Sequence, residues 1–340
     1  MNKYFIGIDF AKEKFDATIL ERGGLNGAGS HRTFENSPKG YRAFVRWIER
    51  SGAEDRGELL LCGENTGAYS RLVSDSLAND GYAMWLESPL QIKQSLGIRR
   101  GKNDRQDARD IAEYAARNED RARLHKAPGR EMEALRFYYS EHRSMVQEKG
   151  NLKRIIKSQS DMAGDNPYIR PELEENVRLL ESVKERCKEI VRRMKELVSA
   201  VPELYRTYDI LTSMKGISVI NAVALIIVTD NFTRFDYDAR RLCSYYGVAP
   251  FAFTSGSSIN GRPHVSHFAD AYLKSIISEA ALCAIRYCPA VRDYAERLRG
   301  RGKHPSVVQN NCKNKMLHIL VAMVKNGTKY GCAKITDQES

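Results

Sequence analysis

Over the first ninety positions apolar residues alternate with polar ones or run together in short blocks; beyond them they recur every three to four residues. The first pattern predicts a sheet and the second a helical body. Residues 4–8 and 15–20 predict a strand pair, and residues 31–36 a third, edge-like strand. Ser37-Pro38 opens a helix that buries Tyr41, Phe44, Val45 and Ile48 at helical spacing. Residues 58–62 form a short apolar run typical of a central strand, followed by a helix over 68–79 and a strand over 82–86. This β-β-β-α-β-α-β order is an RNase H-like layout, and ligands of open α/β sheets gather at the strands' carboxyl ends.

Farther along, residues 130–160 and 171–200 predict two long helices forming an antiparallel hairpin. The second carries Leu173, Val177, Leu180, Val183, Cys187, Ile190, Met194 and Leu197 at spacings of three and four. That stripe suits a coiled-coil seam between subunits, or equally a hairpin packed on itself. From Tyr205 onward the chain reads as helical. Met214-Lys215-Gly216-Ile217 joins two helices as in a helix-hairpin-helix, where turn amides hold a phosphate, or as a packing elbow. Residues 246–264 read as a long polar loop with hydroxyls beside glycines and cations, Arg262 among them. Residues 271–287, 289–300 and 307–326 then predict closing helices. The expected domains are 1–125, 126–204 and 205–340.

Composition adds a partner class. At 340 residues the chain is long enough for two domains with a sizeable core. Mean hydropathy is −0.50, and no apolar run approaches bilayer length, so a cytoplasmic, nucleoid-associated protein without a membrane partner is expected. The seven cysteines form no Cys-x-x-Cys pair and read as reduced core thiols; Cys243 with His264 and His267 makes only a weak zinc candidate. Net charge is +11, unevenly spread: residues 1–96 hold 12 Lys+Arg against 13 Asp+Glu, and the remainder 42 against 30. A neutral first part joined to a basic remainder points to a polyanion, nucleic acid above all.

Four acids carry the candidate chemistry. Asp9 ends an apolar strand, where an ionised carboxylate is costly without a cationic partner. Glu64 closes the next central strand, and Asp104 and Asp107 share one face of a helix that follows a basic loop. Such an oxygen set suits Mg2+, and two ions 3.5–4 Å apart can assist in-line phosphoryl displacement.

These residues resemble those of the DEDD transposases, related to the Piv and MooV invertases and understood as bridge-RNA-guided recombinases of insertion sequences. Gly7-Ile8-Asp9 with Lys14-Phe15-Asp16 is similar to the family's opening strand pair. Glu64 with Thr66-Gly67 and Tyr69 resembles its E-x-T-G-x-Y segment. Lys102-Asn103-Asp104-Arg105-Gln106-Asp107-Ala108 resembles K-T-D-x-x-D-A, with Asn103 in place of threonine. Lys215-Gly216-Ile217 looks like the family's P-G-I-G turn without its proline. Tyr246-Gly247-Val248-Ala249-Pro250 followed by Ser255-Gly256 resembles the loop holding a nucleophilic serine; Ser257 and Ser258 are the neighbouring alternatives. Ser266-His267-Phe268-Ala269-Asp270 departs from the usual S-K-x-G-N.

The resemblance implies a RuvC-like α/β domain, a long helical hairpin inserted as a coiled coil, and a mostly α transposase domain. It implies two Mg2+ ions held by Asp9, Glu64, Asp104 and Asp107, with Ser255 as nucleophile. Arg99, Arg100, Lys102, Arg105 and Arg109 would hold phosphates at the entrance, and Lys215, Gly216 and Arg262 would contact nucleic acid in the second part. Donor and target DNA, a guide RNA and a homo-oligomer, a dimer that becomes a tetramer on DNA, are the implied partners. The alternatives are a RuvC-like nuclease using water, a non-catalytic nucleic-acid-binding protein, and an actin-like kinase; the last expects a second Asp-Gly-Thr phosphate loop that the chain lacks.

Overall fold

The computed structural model of the protein describes residues 2–24, 29–53, 55–95, 103–164, 166–255, 259–265 and 269–331. They fall into two compact units, Met1–Gly129 and Arg130–Ser340.

The first unit is built on a five-stranded mixed sheet. Its elements are β1 (Tyr4–Phe10), β2 (Lys14–Glu21), β3 (Ser30–Glu35), α1 (Pro38–Arg50), β4 (Leu59–Glu64), α2 (Ala68–Asn79), β5 (Met84–Glu87), α3 (Pro89–Ser95) and α4 (Asp104–Arg117). The strand order is β3-β2-β1-β4-β5. β1 and β2 pair antiparallel, as do β2 and β3, whereas β4 lies parallel to β1 and β5 parallel to β4.

Strand alternation sends successive side chains of β1 to opposite faces. Ile6, Ile8 and Phe10 join Phe15, Ala17 and Ile19 of β2 in a core closed by Phe44 and Ile48 of α1 and Val73 and Leu77 of α2. Phe5 faces the other side, where Leu60, Cys62 and Trp85 meet Ile111, Tyr114 and Ala115 of α4. Gly7 and Asp9 share that second face. A β-carbon on Gly7 would meet the Ala108 carbonyl oxygen at 2.0 Å and the Ala112 nitrogen at 2.3 Å, so α4 lies directly on the β1 backbone. α1 begins as its sequence predicts: Ser37 Oγ accepts from the Gly40 N–H at 3.1 Å, with Pro38 in the first turn.

The second unit is helical, with one small hairpin. It comprises α5 (Arg130–Ala163), α6 (Arg170–Ala200), α7 (Pro202–Thr212), α8 (Val219–Thr229), α9 (Ala239–Tyr245), β6 (Pro250–Ser255), β7 (Ile259–Val265), α10 (Ala271–Tyr287), α11 (Pro289–Gly300) and α12 (Pro305–Asn326). α8, apolar around most of its circumference, is the central helix: eight of its residues from Asn221 to Thr229 are buried.

α5 and α6 form the expected antiparallel pair, and the stripe on α6 is covered from within the chain from Leu180 onward, whereas Val177 nearer the tip is exposed. Leu180, Val183 and Cys187 pack with Leu152 of α5, while Ile190, Met194 and Val198 join the core of α7–α12. The root of the hairpin is thus part of the helical body. Residues 246–264 depart from the expected loop. Within them, Pro250–Ser255 and Ile259–Val265 pair antiparallel as β6 and β7, with Ser255 opposite Ile259. Hydroxyls and glycines masked the strands, but backbone N–H and C=O groups gain partners by pairing whatever side chains they carry.

The six cysteines among the described residues are free thiols. No helix among the described residues is long and apolar enough to cross a membrane.

Candidate metal centre

The sheet's carboxyl edge gathers acids on the face that carries α4. Asp9 is the penultimate residue of β1, and Glu64 ends β4 two positions after the inward-packed Cys62. α4 then delivers its first turn to the same place. Asn103 caps it, its Oδ1 accepting from the Arg105 N–H at 3.1 Å, which leaves Asp104 as the first helical residue. The helix N-terminus favours carboxylates there, offsetting part of the cost of bringing them together.

Carboxylate oxygens of Asp9, Asp104 and Asp107 lie within 4.8 Å of one another. Glu64 stands beside this trio, close enough to act on Asp9 electrostatically. Burial, then the charges of Glu64, Asp107, Asp104 and Asp16 in that order, push the Asp9 carboxyl up to about 6. The donors are oxygens only, as a hard divalent cation prefers, and their repulsion is what such an ion would relieve. The residues fit Mg2+ or Mn2+.

Asp16 is a fifth acid that sequence patterning did not single out. It lies directly opposite Asp9 in the β1–β2 ladder and is buried. Its Oδ1 accepts from Thr33 Oγ1 at 2.5 Å and lies 3.3 Å from His31 Nε2. The opposite His31 nitrogen, Nδ1, lies 3.2 Å from Thr18 Oγ1. Lys14 Nζ reaches Asp104 Oδ2 at 2.8 Å and Asp16 Oδ2 at 3.5 Å. The signal was an acid inside an apolar strand, the same one that marked Asp9. Beside the cluster, Thr18, Asn103, Arg105, Gln106 and Arg109 line a cleft of about 240 Å3. Arg105 is exposed, whereas Arg109 pairs with Glu113 at 3.0 Å.

In the second unit, Gly216 (φ +103°) has no room for a side chain: a β-carbon would sit 2.7 Å from the Ala280 carbonyl oxygen of α10. Packing therefore requires this glycine, and the adjacent Lys215 is exposed, its carbonyl accepting from Cys288 Sγ at 3.4 Å. Ser255 ends β6 and Arg262 lies in β7. Arg99, Arg100, Lys102, Ser257 and Ser258 lie outside the described residues.

Residues 6–161 match the IS110-type DEDD transposase family, described as "Transposase". Residues 208–296 match the "Transposase IS116/IS110/IS902 family". The pilin gene-inverting protein of Moraxella lacunata is 24% identical over 335 residues, covering 97% of this chain and 98% of that protein. Its counterpart in Moraxella bovis is likewise 24% identical over 335 residues, with the same shares covered. An uncharacterized 43.6 kDa protein of insertion element IS110 from Streptomyces coelicolor is 32% identical over 139 residues, 41% of this chain and 34% of that protein.

Proposed function

As the chain belongs to the IS110 family of DEDD transposases, we propose that it cleaves and rejoins DNA strands through a metal-assisted attack by Ser255. The observation that carries this reading is the convergence of Asp9, Asp104 and Asp107 at a sheet's carboxyl edge, with Asp9 raised to about 6 by burial and then by its acidic neighbours. In this reading the sheet and its flanking helices are a RuvC-like domain. Asp9, Asp104 and Asp107, with Glu64 beside them, hold the ions, two Mg2+ per site. When bound, such ions neutralise charge on the scissile phosphate and on the leaving 3′ oxygen.

The chain's own part begins with Ser255. Its Oγ forms a bond to phosphorus as the bond to the 3′ oxygen breaks; the hydroxyl proton passes to a carboxylate or solvent, and the 3′ oxygen takes one up. The phosphoserine ester keeps the energy of the phosphodiester, so a second 3′ hydroxyl can reverse the step without ATP. Water in the place of Ser255 would only cut. Arg99, Arg100, Lys102, Arg105 and Arg109 hold phosphates of the DNA, and Lys215, Gly216 and Arg262 contact nucleic acid as well. The relatives named for inverting a pilin gene support recombination of defined DNA segments.

Sequence choice belongs, in the same proposal, to a guide RNA pairing with donor and target DNA. The α5–α6 hairpin assembles subunits, a dimer that becomes a tetramer on DNA. The decisive experiment traps the protein–DNA adduct on a nicked suicide substrate. Wild type is expected to form it and Ser255→Ala to lack it; equal adduct in both would refute the serine step. RNA guidance is checked by purifying the protein without nuclease and sequencing what accompanies it. A defined RNA supports guidance, and random fragments count against it.

A further inference from the structure

The acid cluster carries its own cation. Three residues separate β1 from β2, and strand alternation puts Lys14, Asp16 and Thr18 on the face occupied by α4. Lys14 Nζ lies between two carboxylates of different standing, 2.8 Å from Asp104 Oδ2 and 3.5 Å from Asp16 Oδ2. Asp104 is a candidate metal ligand whose side chain is 48% exposed. Asp16 is 6% exposed at its side chain and fixed through its other oxygen by Thr33 at 2.5 Å and His31 at 3.3 Å. One partner can therefore be exchanged, while the other is anchored to the sheet.

We propose that Lys14 is an internal counter-ion of the acid cluster, a positioning residue that holds Asp104 in the metal-free protein and competes with a divalent cation for it. The inference rests on the metal-centre reading above. Asp9, Asp104 and Asp107 converge here, and the charges of Glu64 and Asp16 also act on Asp9. Like charges at this spacing would drive the first turn of α4 away from β1 in the absence of a cation. The Lys14 ammonium supplies one, at the Asp104 side of the cluster. Asp16 then serves as the mooring: on release from Asp104, Lys14 keeps a carboxylate partner at the lip of the site and does not have to be expelled into solvent. Lys14 thus trades affinity for order, loosening the site's hold on the ion while keeping the ligands assembled before it arrives.

The test is a Mn2+ titration of the full-length metal-free protein, read by the electron paramagnetic resonance of free Mn2+. Lys14→Met is expected to bind Mn2+ about two- to fivefold more tightly, the scale of one exposed ion pair. Lys14→Arg, which keeps the charge and the reach, should stay near wild type. Lys12→Met, which removes the same charge from the adjoining turn, should shift affinity less than Lys14→Met. Unchanged or weaker binding by Lys14→Met would overturn the proposal. Asp104→Asn separates this failure from a deeper one. If Asp104→Asn binds Mn2+ as well as wild type, the metal centre itself is misassigned. If it binds weakly while Lys14→Met is unchanged, only the role of Lys14 falls.

Discussion

The carbonyl oxygen of Ala108 occupies the place where a β-carbon on Gly7 would stand, 2.0 Å from it. This contact seats α4 on β1 and so carries Asp104 and Asp107 to Asp9, two residues farther along the same strand face. Gly7→Ala must lift the helix, because both obstructing atoms are backbone and cannot rotate aside. We expect a loss of about 3 kcal/mol in urea unfolding, at the upper end for overpacking, together with weakened Mn2+ binding. Wild-type stability in Gly7→Ala would show that the helix is not seated as described.

Asp9 makes the metal-free protein less stable at neutral pH. Its carboxyl is raised from 3.8 to about 6, so the folded state holds its proton more tightly than the unfolded chain. That contribution is fully present below pH 3.8 and is lost as pH rises through about 6. Asp9→Asn should therefore stabilise the metal-free protein at pH 7, by about 1–2 kcal/mol after allowance for solvent screening, and by nearly nothing near pH 4. Chemical denaturation at both pH values checks this. Mn2+ should raise the melting temperature of wild type far more than that of the variant.

The cap of α4 holds the site indirectly. Asn103→Ala removes the acceptor for the Arg105 N–H and should cost about 1 kcal/mol. Frayed at its first turn, the helix would present Asp104 and Asp107 less firmly, so Mn2+ affinity should fall with stability. Asn103→Thr supplies another capping oxygen and is expected to retain both; equal losses in the two variants would mean that the cap is not what matters.

His142 of α5 is buried, and its Nδ1 has no hydrogen-bond partner among the described residues. Burial, and secondarily the charge of Lys149, holds its pKa below 6.5. The unfolded chain therefore takes up a proton first as pH falls through 6.5, and stability drops with it, by at most about 1.4 kcal/mol per pH unit. His142→Phe should flatten this acid limb between pH 7 and 5.5 in thermal melts. An unchanged slope would locate the proton uptake elsewhere.

How legible this protein was in its sequence depended on the range of the interaction. Phe5-Ile6-Gly7-Ile8-Asp9 announced a strand buried on both faces with an acid near its end, because strand alternation needs no knowledge of neighbours. The three-residue spacing of Asp104 and Asp107 likewise put them on one helix face, and the Ser37-Pro38 start was readable because caps act within three residues. The apolar stripe of α6 was equally plain, but its partner was not. Periodicity shows which face seeks cover, whereas only the fold decides that Leu180, Val183 and Cys187 meet α5 and that Ile190 and Met194 enter the core of the helical unit.

The rest was settled by tertiary structure for physical reasons. Asp16 owes its burial to the β2–β3 register, which brings Thr33 and His31 to its carboxylate from a strand separated by a loop of unpatterned sequence. Gly216 must be glycine because α10, more than sixty residues away in sequence, lies against it. The β6–β7 hairpin gives no hydrophobic rhythm, since its pairing is satisfied by backbone groups that every residue carries. By itself the sequence determined which carboxylates exist and which way each faces on its own element. Bringing them to a common point required the close approach of α4 to Gly7, a contact between backbones that no side-chain pattern encodes.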